Sequence, residues 1–312
     1  MTDLEFTIPF GDWVQAFVDW LVVAASGLFD VITFVFRSLY ELLYTVLSWP
    51  PNWLFIIGVA VLALFARGWR LAVGAIVGLA FIISVDQWDN AMRTLALVLV
   101  ASAIAVVIAV PVGIWAARSD AVSRAVRPVL DFFQTMPAMV YLVPAIILFG
   151  TGVVPGIFAT IIFAIAPGVR MTELGIRGVD REVIEAARAF GSTEGRILRQ
   201  VQLPLALPSI MAGVNQVIML SLSMVVIASM VGASGLGQQV NYALGSINVG
   251  LGFEAGLSVV VLAMLLDRFT GAVGARRRRR KAAAPADEPA ADAAVDEPGD
   301  AADRAKTQTA TA

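Results

Sequence analysis

The sequence predicts an all-α, polytopic membrane protein. Hydrophobic residues make up 59% of the 312-residue chain, and the mean hydropathy is +0.82, far more apolar surface than a soluble domain of this length buries. Apolar stretches approaching the length of a bilayer span recur from residue 53 onward. A small net charge of -2 hides a strong segregation, with nearly all cations on alternate connections between those stretches.

Residues 1–52 are apolar but never free of charge for long: ten residues separate Asp19 from Asp30, too few to cross a bilayer. On a helical projection Asp12, Asp19, Ser26 and Asp30 fall close together. Trp13, Phe17, Trp20, Leu21, Ala24 and Leu28 spread over the other side. That pattern fits an amphipathic helix lying in the interface, outside the membrane core. The competing reading is a first span with buried aspartates. Asp3 and Glu5 stand where a basic start would be, so no cleavable signal peptide is expected.

Seven spans follow, over 53–66, 70–85, 94–117, 132–150, 153–169, 209–231 and 249–267. The first, at 14 residues, reaches about 21 Å against a core of about 30 Å, so it starts earlier, at Trp49, or sits in thinned bilayer. The third carries no charge from Thr94 to Ala117. The fourth holds Pro137 and Pro144 seven residues apart, which places both kinks on one face.

Charge sets the orientation. Of 22 Lys and Arg residues, Arg37 and Arg93 alone fall on one side. Arg67 and Arg70, then Arg118, Arg124 and Arg127, then the run from Arg170 to Arg199, then Arg268 and the tail, fall on the other. The positive-inside rule makes that second side cytoplasmic, with the N-terminus outside and the C-terminus inside. Arg276, Arg277, Arg278, Arg279, Arg280 and Lys281 are six consecutive cations, read either as a contact for anionic lipid or as a stop-transfer anchor. The Ala, Pro, Asp and Glu-rich segment 282–312 is expected to be disordered. The domain organisation expected is thus 1–52, the membrane domain 53–270, and 271–312.

No catalytic constellation is visible. The chain has no Cys and no His, which excludes disulfides, thiol nucleophiles and Cys/His metal sites. It has no Walker-type phosphate loop, so no cofactor is expected on this chain and no nucleic-acid partner. Glu173, Glu254 and Asp267 sit near span ends and form no buried carboxylate relay, against a proton-driven carrier. The polar residues that enter spans are uncharged. Gln134, Thr135 and Pro137 lie at the fourth, and Asn215, Gln216, Ser221, Ser223 and Ser229 run through the sixth. They are either interhelical hydrogen-bonding groups or the lining of a path for a small solute. The Gly232–Gly237 stretch, with no lysine after it, reads as a flexible turn capping the sixth span.

One polar interval stands apart, Glu185 to Pro204, within the connection 171–208. Helix formers run from Glu185 through Ala186 and Ala187 to Ala189. Gly191 interrupts them, Ser192 can cap a second short helix, and Pro204 is expected to stop it. The pattern is Glu185-Ala186-Ala187, Gly191, Val201 and Leu203-Pro204, seven fixed positions over twenty residues. It resembles the coupling-loop signature of bacterial ABC importer permeases, with Val201 where isoleucine is usual. Residues 95–119, 131–150 and 211–240 are similar to the matching stretches of permeases from glycine betaine/proline osmoprotectant importers, the ProW/OpuAB type.

The resemblance covers about residues 53–270 and implies a type I ABC importer permease fold. It also implies a cytoplasmic ATPase subunit that binds ATP and Mg, an extracytoplasmic substrate-binding protein, and a pair of permease subunits, here a homodimer. The solutes it implies are quaternary ammonium compatible solutes. An importer of another small solute such as an amino acid, a carrier or channel working alone, and a membrane scaffold are the alternatives. The last gives no reason for the twenty-residue pattern.

Overall fold

The computed structural model describes residues 9–282; the acidic tail lies outside the described residues, as do the side chains of Arg276–Arg280 and Lys281. Helices account for nearly all of it. In chain order they are α1 (Phe10–Ala24), α2 (Ser26–Ser48), α3 (Asn52–Arg67), α4 (Trp69–Ser84), α5 (Trp88–Arg118), α6 (Asp120–Thr135), α7 (Leu142–Phe149), α8 (Val153–Arg177), α9 (Arg181–Ala189), α10 (Glu194–Ile197), α11 (Leu203–Ser223), α12 (Val225–Ser229), α13 (Leu236–Ser246) and α14 (Val249–Ala282). Among the described residues five helices are long and apolar enough to cross a bilayer, or six if a bent pair counts as one span, so the expected count of seven is approximate. The two short expected spans are the 16-residue α3 and α4, each about 24 Å long.

α5, α8 and α11 form the centre, and small residues let them approach closely. A Cβ added to Gly168 would lie 2.8 Å from Ala109 Cβ and 3.1 Å from Val217. One added to Gly113 would lie 2.8 Å from the Val169 carbonyl, and one on Gly213 would lie 2.8 Å from Met171. Close backbone approach of this kind is how membrane helices gain contact where the hydrophobic effect contributes little. α5 and α8 run parallel. Arg177 at the end of α8 donates to the Ala116 carbonyl near the end of α5, and the arginines from Arg118 to Arg199 gather at this Arg-rich end.

α3 and α4 pack as a hairpin through Ala60, Ala63, Ala72 and Ala75, and lean on α14. Phe55 meets Trp88 edge-on at one end of α3, and Arg67 approaches Gly271 at the other. α2, 23 residues long with mean hydropathy 1.4, has the length and apolarity of a span. Its contacts nevertheless hold it to one half of the bundle. Phe29 packs on Phe149, just before α8 begins, and the Tyr44 hydroxyl donates to Asp89 at the start of α5, 2.5 Å away. Both tethers lie at the end opposite the arginines, so α2 runs obliquely across α5 and α8 there.

Several sequence expectations are corrected. The fourth span is not one kinked helix, because the chain turns by 104° between Thr135 and Ala138. Pro137 forces Met136 into extended geometry (ψ 137°), and the Tyr141 hydroxyl satisfies the freed Phe133 carbonyl at the corner. The fifth span does not end at residue 169 but continues to Arg177 as α8. The Gly232–Gly237 stretch is tightly packed: Gly235 (φ 135°) leaves only 2.5 Å between a would-be Cβ and Thr94 Oγ1, and Gly237 leaves 2.4 Å to the Val225 carbonyl. It leads into α13, a helix the sequence reading omitted. A further correction, at Pro204, belongs to the site.

Candidate functional site

Beyond Arg177 the chain leaves the bundle and returns as a bent segment. Asp180 opens α9, its carboxylate accepting from the Glu182 N–H at 3.0 Å. No residue of α9 is buried. Glu185 and Ala186 are exposed and Ala187 is half-buried, while Val183 and, just past the helix, Phe190 (90% exposed) leave apolar surface open among the described residues. An isolated nine-residue helix with no buried face lacks the tertiary packing that normally stabilises such a length.

Gly191 ends α9 with φ 74°. The Ser192 N–H donates to the Ala187 carbonyl at 3.1 Å and the Gly191 N–H to the Arg188 carbonyl at 2.8 Å. These two bonds are the Schellman arrangement, which requires a left-handed residue at this point. Thr193, rather than Ser192, occupies the cap of α10, without a side-chain bond. Arg188 Nε reaches Glu194 Oε1 at 2.8 Å across the bend and ties the two short helices together.

Pro204 does not stop the second helix. The chain is helical from Glu194 to Ser229, 36 residues, with a wide π turn at Leu198–Gln202. The Leu203 N–H donates to the Leu198 carbonyl, one residue further back than α spacing, and this widened turn accommodates the ring of Pro204 and its missing N–H. Leu198 is buried beside Ile176, Ala206 and Ile210, and Ile197 is buried as well. The segment therefore has a free limb, α9, and a limb rooted in the bundle that is one continuous rod with α11. Val201 and Leu203 lie half-buried in or after the wide turn, and Pro204 is exposed.

Immediately beneath lies a cluster that the sequence reading missed. Glu173 is 5% exposed and accepts from Ser123 at 2.7 Å and Arg127 at 2.9 Å, with Arg177 Nε at 3.2 Å. Arg177 also pairs with Asp120 at 2.7 Å, and Arg170 pairs with Asp131. The cluster binds α5, α6 and α8 where the bent segment emerges. Only the spacing of Glu173 and Arg177 was visible in the sequence, because Ser123 and Arg127 lie 50 and 46 residues away.

The candidate path residues separate into two groups. Asn215 donates to Asp267 at 3.1 Å and accepts from Thr270 at 2.5 Å, which locks α11 to α14. Ser221 is fully buried and donates to the Val217 carbonyl at 2.8 Å. Gln216 and Ser223, seven residues apart on one face of α11, are exposed. Gln134, Thr135 and Pro137 are exposed at the corner that closes α6, where Phe133 and Met136 join the same apolar cluster as Met224 and Ile227. The open face of α11 and the corner are thus neighbours.

A helical bundle centred on three closely packed membrane helices, with a bent segment held outside it, is the architecture of a membrane permease. The family model described as the binding-protein-dependent transport system inner membrane component matches residues 109–279, and the chain belongs to that family. It is 49% identical over 85% of its length to the glycine betaine/carnitine transport permease protein GbuB of Listeria monocytogenes, covering 95% of that protein. It is 45% identical over 88% of its length to the glycine betaine transport system permease protein OpuAB of Bacillus subtilis, covering 97% of it. Among solved structures, the inward-facing MetNI methionine ABC transporter matches with a TM-score of 0.56 at 25% identity, over 61% of this chain and 95% of that one.

Proposed function

We propose that this chain is the permease subunit of an ATP-driven importer of glycine betaine and related quaternary ammonium or proline-type compatible solutes. The support is the 45–49% identity to permeases named for glycine betaine, together with the bent segment 181–204. α9 docks on a separate ATPase subunit, which binds ATP and Mg; Phe190, Val183, Ala186 and Ala187 enter its groove and Glu185 meets a basic partner residue. The Arg-rich end is then cytoplasmic, the N-terminal helices face outside, and a binding protein delivers solute to that outer end. Two copies of this chain form the path between them. Movement of α9 passes through the Arg188–Glu194 tie into α10 and along the unbroken rod to the face bearing Gln216 and Ser223. These polar, uncharged groups suit a solute whose cationic head carries no N–H donor, because water-like contacts with no strong anion let it pass without trapping it.

Uptake of labelled glycine betaine by cells lacking other betaine carriers, and expressing this chain with its ATPase and binding protein, tests the reading. Uptake that depends on both partners and is competed by proline betaine but not by methionine is expected. Competition by methionine alone would replace the solute assignment with an amino acid. Uptake without the ATPase would overturn the importer reading.

A further inference from the structure

A groove of about 530 Å³ runs between α4 and α14, away from the bent segment and from the open face of α11. One end is cationic: Arg67 and Arg70, flanking the α3–α4 turn, and Arg268 of α14 line it together. The walls are apolar, built from Leu71, Val77 and Met264. Among the described residues none of the three arginines forms an ion pair, and the nearby Asp267 carboxylate is engaged by Asn215 on another side of α14. Trp69 is exposed beside the cluster, with the Arg70 guanidinium 5.8 Å from its ring, an aromatic of the kind that settles at headgroup level.

The depth agrees. Arg268 follows Asp267, which bonds Asn215; Asn215 lies two residues before Val217, which packs on Gly168; and Arg170, the first charge on α8, follows Gly168 by two. Charges thus begin at one level on α3, α8 and α14, the level of a membrane surface. Above it the groove continues into the apolar zone beside Gly74, where an added Cβ would meet nothing within 4 Å.

We propose that this groove binds an anionic phospholipid from the leaflet at the Arg-rich end. The three guanidiniums hold the phosphate and one acyl chain lies along the Gly74 side of α4. Snorkelling arginines that merely fix topology would need no groove between them. The cationic cluster and the apolar channel together fit a molecule that is anionic at one end and hydrocarbon for the rest.

The test uses the assembled transporter, purified and washed in detergent and then exposed to phosphatidylglycerol or phosphatidylcholine with identical chains. Retained lipid is counted by mass spectrometry. Wild-type protein is expected to retain phosphatidylglycerol selectively. Arg268→Gln should lower retention about fivefold, from the strength of one basic residue acting on an anionic headgroup. Gly74→Leu leaves every arginine in place and projects into the open groove, so it should lower retention at least as much. The pair Arg67→Gln and Arg70→Gln also bears on membrane topology and serves only as a supporting variant. Excess inorganic phosphate should displace little lipid. Equal retention of both lipids, unchanged retention in Arg268→Gln and Gly74→Leu, or full displacement by phosphate would each overturn the proposal.

Discussion

Replacing Gly191 by valine isolates what the bend contributes. Gly191 sits at φ 74°, and a Cβ there would meet nothing within 4 Å, so no steric clash with neighbouring groups complicates the change. The cost is the backbone conformation itself, about 1–2 kcal/mol for an L residue in left-handed geometry and more for a β-branched one. α9 has no buried residue to oppose a change of direction. The strain is therefore relieved by unwinding the Schellman turn and separating Arg188 from Glu194, not by disturbing α5, α8 or α11. A penalty of that size lowers the population of the native bend about 5–30-fold.

Membrane insertion and the melting temperature of the bundle should stay at wild-type values. Recovery of the ATPase in pull-down, and binding-protein-stimulated hydrolysis in proteoliposomes, should fall together. Asparagine tolerates left-handed geometry, so Gly191→Asn should retain most function, with Gly191→Ala between it and Gly191→Val. A valine variant with wild-type pull-down and stimulation, or an asparagine variant as defective as valine, would refute this reasoning.

Ala187→Asp puts a charge on the half-buried side of α9 and should reduce ATPase recovery at least tenfold, read in the same pull-down, while leaving insertion unchanged. Ser223→Leu should slow betaine uptake in an assembled complex. Asn215→Leu leaves Asp267 and Thr270 without their α11 partner and should instead reduce the yield of folded permease, measured by size-exclusion chromatography. Glu173→Gln removes the charge shared by Arg127 and Arg177 and should destabilise the bundle by about 2 kcal/mol, the scale of a hydrogen bond to a charged group; a thermal melt that matches wild type would refute the role assigned to the cluster.

What the sequence disclosed follows from the range of each interaction. Gly191 was legible because a glycine between helix formers signals a local conformational need, and the bonds that meet it span only three and five residues. Pro204 misled because the same residue ends one helix or opens another, and only the widened turn before it decides. The corner at Pro137 was hidden by the absence of any charge from Phe132 to Phe149, a stretch that hydropathy reads as a single span. Gly235 looked mobile because the group that confines it, Thr94, is more than a hundred residues distant in sequence. Glu173 was hidden for a related reason, since a buried carboxylate at a helix end looks the same in sequence as a solvated one. The division of Asn215 and Ser221 from Gln216 and Ser223 needed the position of α14, which no pattern within α11 contains.

The wide turn at Leu198–Gln202 has a consequence for phase. It holds one residue more than an α turn, so everything before it is offset by about 100° around the helix axis from where an unbroken α-helix would place it. Ile197, buried on the near side of the turn, takes that offset, and through Glu194 the offset also fixes the compass bearing of α9. Deleting a single residue here would leave each helix able to form while swinging α9 to a different bearing. If a pull on α9 drew the wide turn into regular α geometry, the rod above would answer by turning on its own axis. Gln216 and Ser223 would then sweep sideways instead of sliding along the bundle, so this turn can convert thrust into torque.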